Sequence, residues 1–134
     1  MVASDAGPVT AMHDATEGGV YGGLFEMARS AGVGFEIERD RIPIQPGVEA
    51  ACDFFDIDPW ISISEGTLLA TVDPDGAGEV LSALESDGIP AADAGRVVEG
   101  SGLRVDGEAV DHPGKDPYWE AFEEYMAKLQ ESEA

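Results

Sequence analysis

The chain has 134 residues, enough for one domain and too few for two ordinary ones. Hydrophobic residues make up 43% of it, so a packed core can form. Its 28 acidic and 7 basic residues set a formal net charge of −21, and the acids are spread from Asp5 to Glu133, which excludes a local acidic tail and describes a whole surface.

Such a surface repels itself in dilute buffer, and salt relieves the repulsion. With two lysines against five arginines, it reads as adaptation to high internal salt of the haloarchaeal kind. The other reading is an ordinary acidic protein with a basic partner. In both, binding to a nucleic-acid backbone is disfavoured, because phosphates need basic residues. Cys52 is the only cysteine, so no internal disulfide forms, which fits a reducing cytoplasm. No apolar run approaches the about 20 residues that span a bilayer. Residues 1–7 have neither the basic start nor the apolar stretch of a signal peptide, so no membrane partner is expected.

Residues 1–8 read as a lead-in, followed by a short apolar stretch to Met12 and a polar loop over His13–Thr16. A helix follows from about Gly18 to Ser30, capped by Asp14 or Thr16, with Val20, Leu24, Met27 and Ala31 on its buried face and Gly32 as its stop. Gly18, Gly19, Gly22 and Gly23 interrupt its first turns, at about 1 kcal/mol each against alanine inside a helix. Either another segment packs closely there or a ligand approaches the backbone. Gly34–Glu38 alternates as a strand, and Ile42-Pro43-Ile44 is an extended link. Pro46–Phe55 is a helix with Val48, Ala51, Cys52 and Phe55 on one face, and Asp56–Pro59 is a turn. Trp60–Ser64 and Thr67–Val72 are strands broken at Glu65-Gly66. Asp73-Pro74 starts a helix that ends near Gly88. Ala94–Glu99 and Gly102–Val105 are strands, Asp106-Gly107 is a hairpin turn before Ala109-Val110, and Asp116-Pro117 starts a last helix with Trp119, Phe122, Met126 and Leu129 on one face, a core or docking stripe. The expected fold class is α+β, a mixed and largely antiparallel sheet covered by helices.

The best site candidate is Met12-His13-Asp14-Ala15-Thr16-Glu17-Gly18-Gly19, a loop feeding a helix N-terminus. Unpaired N–H groups there favour an anion, and glycines let a phosphate approach. Asp14 and Glu17 would repel a bare phosphate, so Mg²⁺ or a cationic group would help. On the other reading, Asp14 and Thr16 only cap the helix and the glycines fit a tight helix–sheet contact. No Gly-Lys-Ser/Thr follows, so this is not a Walker loop. Cys52 beside Phe55 reads as a buried, inert thiol, His13 as structural, and His112 as part of a surface loop. Two histidines and one cysteine make no zinc cluster.

The run Ala11–Val20, with Leu24-Phe25-Glu26-Met27-Ala28 and Ser30-Ala31-Gly32-Val33-Gly34 after it, resembles the C-terminal domain of the AIR synthase superfamily, and within it the AIR-synthase-related and HypE-like proteins. Arg41-Ile42-Pro43-Ile44 and Ile63–Leu69 agree in order, so the resemblance covers roughly residues 8–105. It implies that residues 1–134 form a single C-terminal domain. It also implies a separate N-terminal ATP-binding domain, homodimer pairing, and ATP with Mg²⁺ in the complete protein. Carried over by position, Asp14, Thr16, Gly18 and Gly19 would face nucleotide or a small-molecule substrate, with Glu65 and Gly66 lining the same cleft. The implied chemistry is phosphoryl transfer from ATP to an oxygen; catalytic groups are not assigned. Two departures stand out. Glu17 occupies a position where HypE-like proteins often carry arginine, and the chain ends Gln130-Glu131-Ser132-Glu133-Ala134 rather than in their Pro-Arg-Ile-Cys tail. These departures leave open a non-catalytic binding or assembly module of the same fold.

Overall fold

The structure is a computed structural model and describes residues 2–133. In chain order it contains α1 (Val2–Ala6), β1 (Val9–Ala15), α2 (Gly19–Ala31), β2 (Gly34–Ile37), α3 (Pro46–Phe55), β3 (Thr67–Val72), α4 (Ala77–Ser86), β4 (Gly95–Val98), β5 (Gly102–Val105), β6 (Glu108–Val110) and α5 (Pro117–Glu133). Short 3₁₀ turns at Arg39–Arg41 and Pro74–Gly76 precede α3 and α4.

The strands form two sheets. β1 and β3 pair antiparallel, with a register shift between Val9 and Ala11. The second sheet has the order β4-β2-β5-β6, with β2 and β5 parallel and the other pairs antiparallel. The expected mixed, largely antiparallel sheet under helices is thus present, divided in two.

Helix α2 joins the halves by touching β1 and β3 on one side and β2 and β5 on the other. Its burial explains the division. Val20, Tyr21, Leu24 and Ala28 meet Ala15 from the first sheet and Phe35, Ile37, Leu103 and Val105 from the second, with Trp60 closing the cluster. The helix stops at Gly32, whose φ of 66° is left-handed backbone that a side chain would oppose. The β5–β6 hairpin turns at Asp106 and Gly107, with φ of 52° and 86°; positive φ at both central residues fits the right-handed twist of the flanking strands.

Several expectations change. β1 continues through His13 and Asp14 to Ala15, because the stretch read as a polar loop pairs with Thr67–Leu69. Trp60–Ser64 is not a strand but a turn at Trp60 and Ile61 running into irregular backbone. Asp58 Oδ1 accepts the Trp60 N–H at 2.9 Å, and the Trp60 carbonyl is taken by the Tyr21 N–H at 3.0 Å, so this backbone serves α2 instead of a ladder. On α2, Ala28 is buried and Ala31 exposed. On α3 only Cys52 is buried, while Val48, Ala51 and Phe55 are exposed. The α5 stripe is not core: Trp119, Phe122, Met126 and Leu129 are all exposed. The lead-in contains the short helix α1, which packs against α4.

Candidate functional site

The corner between the first sheet and the start of α2 gathers the residues singled out in the sequence. β1 ends at Ala15, and the Thr16 carbonyl accepts two N–H groups, from Gly19 in its own turn and from Ser64 in the loop before β3, each at 3.1 Å. Ser64 Oγ donates to Thr67 Oγ1 at 2.8 Å or receives from it, which tightens that loop. The segments 14–19 and 64–67 are therefore stitched together, and Glu65 and Gly66 lie beside Thr16. Asp14, Thr16, Glu17, Glu65 and Gly66 are exposed, whereas Gly18 and Gly19 are buried.

Strand alternation sorts the two polar residues of β1 onto different faces. His13 turns toward α2, where its Nε2 lies 2.7 Å from Glu26 Oε2. Asp14 turns the other way, onto a face shared with Met12 and with Leu68, its ladder partner. Met12 is 41% and Leu68 50% exposed, so this face of the sheet is open while α2 covers the opposite one. His13 is a packing residue here and not a neighbour of the Asp14 carboxylate.

The glycines have a structural explanation at two positions. A β-carbon on Gly19 would stand 2.6 Å from the Ser62 carbonyl oxygen and 2.7 Å from that of Trp60. One on Gly23 would stand 2.7 Å from a methyl of Leu69. Close packing of loop and sheet onto α2 thus accounts for both.

The helix start differs from the expectation. Neither Asp14 nor Thr16 caps α2: Gly18 holds the cap position with φ of 78°, and no side chain of the adjoining loop caps it. Instead Asp116, distant in sequence, accepts the Gly18 N–H on Oδ2 at 2.8 Å. Asp116 is only 3% exposed. Its other oxygen accepts the Tyr118 N–H at 2.9 Å, so the same carboxylate caps α5. Pro113 lies over Gly18 and Gly22. His112 sits edge-on to Phe25, with ring centroids 5.5 Å apart, and its Nε2 is 3.7 Å from Glu26 Oε1. The sequence reading missed this segment because Asp116-Pro117 carries a complete local explanation as a helix start.

Behind the corner, the Tyr21 hydroxyl is buried and has no hydrogen-bond partner among the described residues. Burial pushes its pKa up, and the nearby Arg39 guanidinium opposes that only in part. Two shallow recesses lie away from the corner, one along Leu81, Glu85 and Gly88–Ala91, the other at Arg41, Arg96 and Arg104. Among the described residues no group of three His, Cys, Asp or Glu side chains forms a metal cluster. Asp14, Glu17 and Glu65 are exposed carboxylates, oxygen donors of the kind magnesium takes one or two at a time beside phosphate. No helix among the described residues is long and apolar enough to cross a membrane.

Comparison with known proteins places the chain in a family. The carbamoyl dehydratase HypE of Rhizobium leguminosarum bv. viciae is 42% identical over 100 residues, 73% of this chain and 29% of that protein. The crystal structure of Escherichia coli HypE, a hydrogenase maturation protein, superposes with a TM-score of 0.76 at 35% identity, covering 87% of this chain and 39% of that one. A HypE solved in complex with ATP shares the fold, with a TM-score of 0.67 at 20% identity, over 82% of this chain and 38% of that one. The chain thus spans about three-tenths of the length of the curated relative. Residues 1–108 match the model of the AIR synthase related protein, C-terminal domain, and the chain belongs to that family.

Proposed function

We propose that this chain is the C-terminal domain of an ATP-dependent, HypE-like enzyme, and that its 14–19 and 64–66 loops form one wall of a nucleotide or substrate cleft. The supporting observation is the joint at Thr16, which fixes two loops distant in sequence together and leaves Asp14, Thr16 and Glu65 each exposed. An open wall of this kind needs a second wall, which on this reading is the protein's own N-terminal ATP-binding domain within a homodimer in the cytoplasm.

The reaction class follows from the relatives' printed activity, dehydration of a carbamoyl group. Transfer of a phosphoryl group from ATP to the amide oxygen releases ADP and makes that oxygen a leaving group. The C–O bond then breaks to release phosphate as the nitrogen gives up its two protons, leaving a carbon–nitrogen triple bond. When bound, Mg²⁺ would neutralise phosphate charge. In this chain the Gly18 N–H, held by Asp116 in this structure, would orient a phosphate oxygen once freed, while the Gly19 N–H stays with the Thr16 carbonyl. Asp14 and Glu65 would hold the ion's water or a cationic part of the substrate. Glu17 cannot make the anion contact an arginine would, so the substrate contact there differs from that of HypE-like proteins with arginine.

Titration calorimetry of the complete protein with Mg-ATP at molar KCl tests the reading. Binding is expected, and Asp14→Asn and Glu65→Gln should each weaken it. Absence of binding in the complete protein would overturn it and favour a non-catalytic assembly module, the alternative that Glu17 motivates.

A further inference from the structure

The segment Asp111–Asp116 has no regular structure, yet it is held at both ends against the start of α2. At one end His112 meets Phe25 and Glu26; at the other Asp116 takes the Gly18 N–H, with Pro113 seated over Gly18 and Gly22 between them. The group on the glycine turn is a carboxylate oxygen. The turn therefore already carries an anionic acceptor at hydrogen-bond distance, supplied by the chain itself and buried from water. One N–H at this distance serves one acceptor well, so a phosphate oxygen and Asp116 Oδ2 exclude one another there.

We propose that the 111–116 segment is an autoinhibitory strap whose Asp116 carboxylate occupies the anion position of the glycine turn and must leave before phosphate binds. The inference rests on the nucleotide reading above. Release of Asp116 does more than vacate one N–H. The same side chain caps the first turn of α5 through Tyr118, and the Trp119 N–H bonds the Asp116 carbonyl at 3.2 Å. Beyond that anchor α5 is largely exposed, and its ring contact with the body is Tyr125 against Phe55, centroids 5.9 Å apart. Strap and helix therefore leave together, and occupation of the glycine turn is coupled to freeing α5. Both histidines of the chain meet at the Glu26 carboxylate, His13 on Oε2 and His112 on Oε1, so the strap's other end rests on a contact that α2 shares with β1.

The test measures Mg-ATP affinity of the complete protein and of its Asp116→Asn variant, with hydrogen exchange of residues 117–133 followed in both. Asparagine keeps an oxygen for the α5 cap but removes the charge that competes with phosphate. The expected result is at least tenfold tighter binding in the variant, a factor that corresponds to about 1.4 kcal/mol. In the unmutated protein, saturating Mg-ATP should accelerate exchange across 117–133, a readout that stands if the variant folds poorly. Equal affinities with unchanged exchange in 117–133 would overturn the strap and leave the nucleotide reading intact. No binding by either protein would overturn both.

Discussion

Gly19 lies against the Ser62 carbonyl so closely that a β-carbon would come within 2.6 Å of the oxygen. Its φ of 62° adds a second objection to any side chain. The contact holds the loop before β3 against the first turn of α2, and so positions Glu65 and Gly66. Gly19→Ala should therefore cost about 1–3 kcal/mol, the range for forcing volume into a packed contact. Urea unfolding measures it; a loss under about 0.5 kcal/mol would mean that the loop moves freely.

Asp14 stands on the open face and its side chain is exposed. Asp14→Asn should leave stability within about 0.5 kcal/mol of the parent, as exposed substitutions generally do. A larger loss would show that the carboxylate serves the fold and would count against a ligand-facing role.

Alkaline pH should weaken the fold through two groups. Burial, aided by Asp53 and Asp58, raises the Cys52 thiol above its ordinary 9.0, and burial raises Tyr21 above its ordinary 10.0. In each case the folded state holds the proton longer than the unfolded state. The stabilisation is complete below the ordinary value and is lost as pH rises through the raised one. Unfolding midpoints should fall above about pH 9, and Cys52→Ala with Tyr21→Phe should flatten that fall. Iodoacetamide at neutral pH should label Cys52 only after unfolding.

Net charge of −21 predicts a strong response to salt. Raising KCl from about 0.1 M to 2 M should lift Tm by at least about 4 °C, the shift that roughly 1 kcal/mol gives a domain of this size. A flat response would remove the salt-adaptation reading.

Local signals in the chain were sufficient for several elements. α3 begins with proline at Pro46, as expected, and ends at Phe55. The Asp106-Gly107 hairpin and the Gly32 stop depend on backbone preferences of single residues, which neighbouring residues do not alter. Signals that needed a partner were misread. His13 and Asp14 are polar, and only their pairing with Leu69 and Leu68 makes them strand residues. Trp60–Ser64 has strand-like composition, but α2 draws off the Trp60 carbonyl. The apolar stripes of α3 and α5 obey helical spacing, yet periodicity does not say whether anything lies opposite.

The candidate site divides in the same way. Its residue types and their order were written in the chain: a motif from Asp14 to Gly19, a second at Glu65-Gly66, and an excess of acidic residues along the whole sequence. Folding supplied the Thr16 joint that unites the two loops, the separation of His13 from Asp14 across the β1–β3 sheet, and the carboxylate on the glycine turn. That last contact spans 98 residues. Hydrophobic periods and caps act over a few positions, whereas a contact across this distance depends on where α2, β5 and β6 have already packed. The carboxylate that holds the Gly18 N–H at the start of α2 therefore comes from Asp116, just before α5, far from the motif in sequence and in contact with it in space.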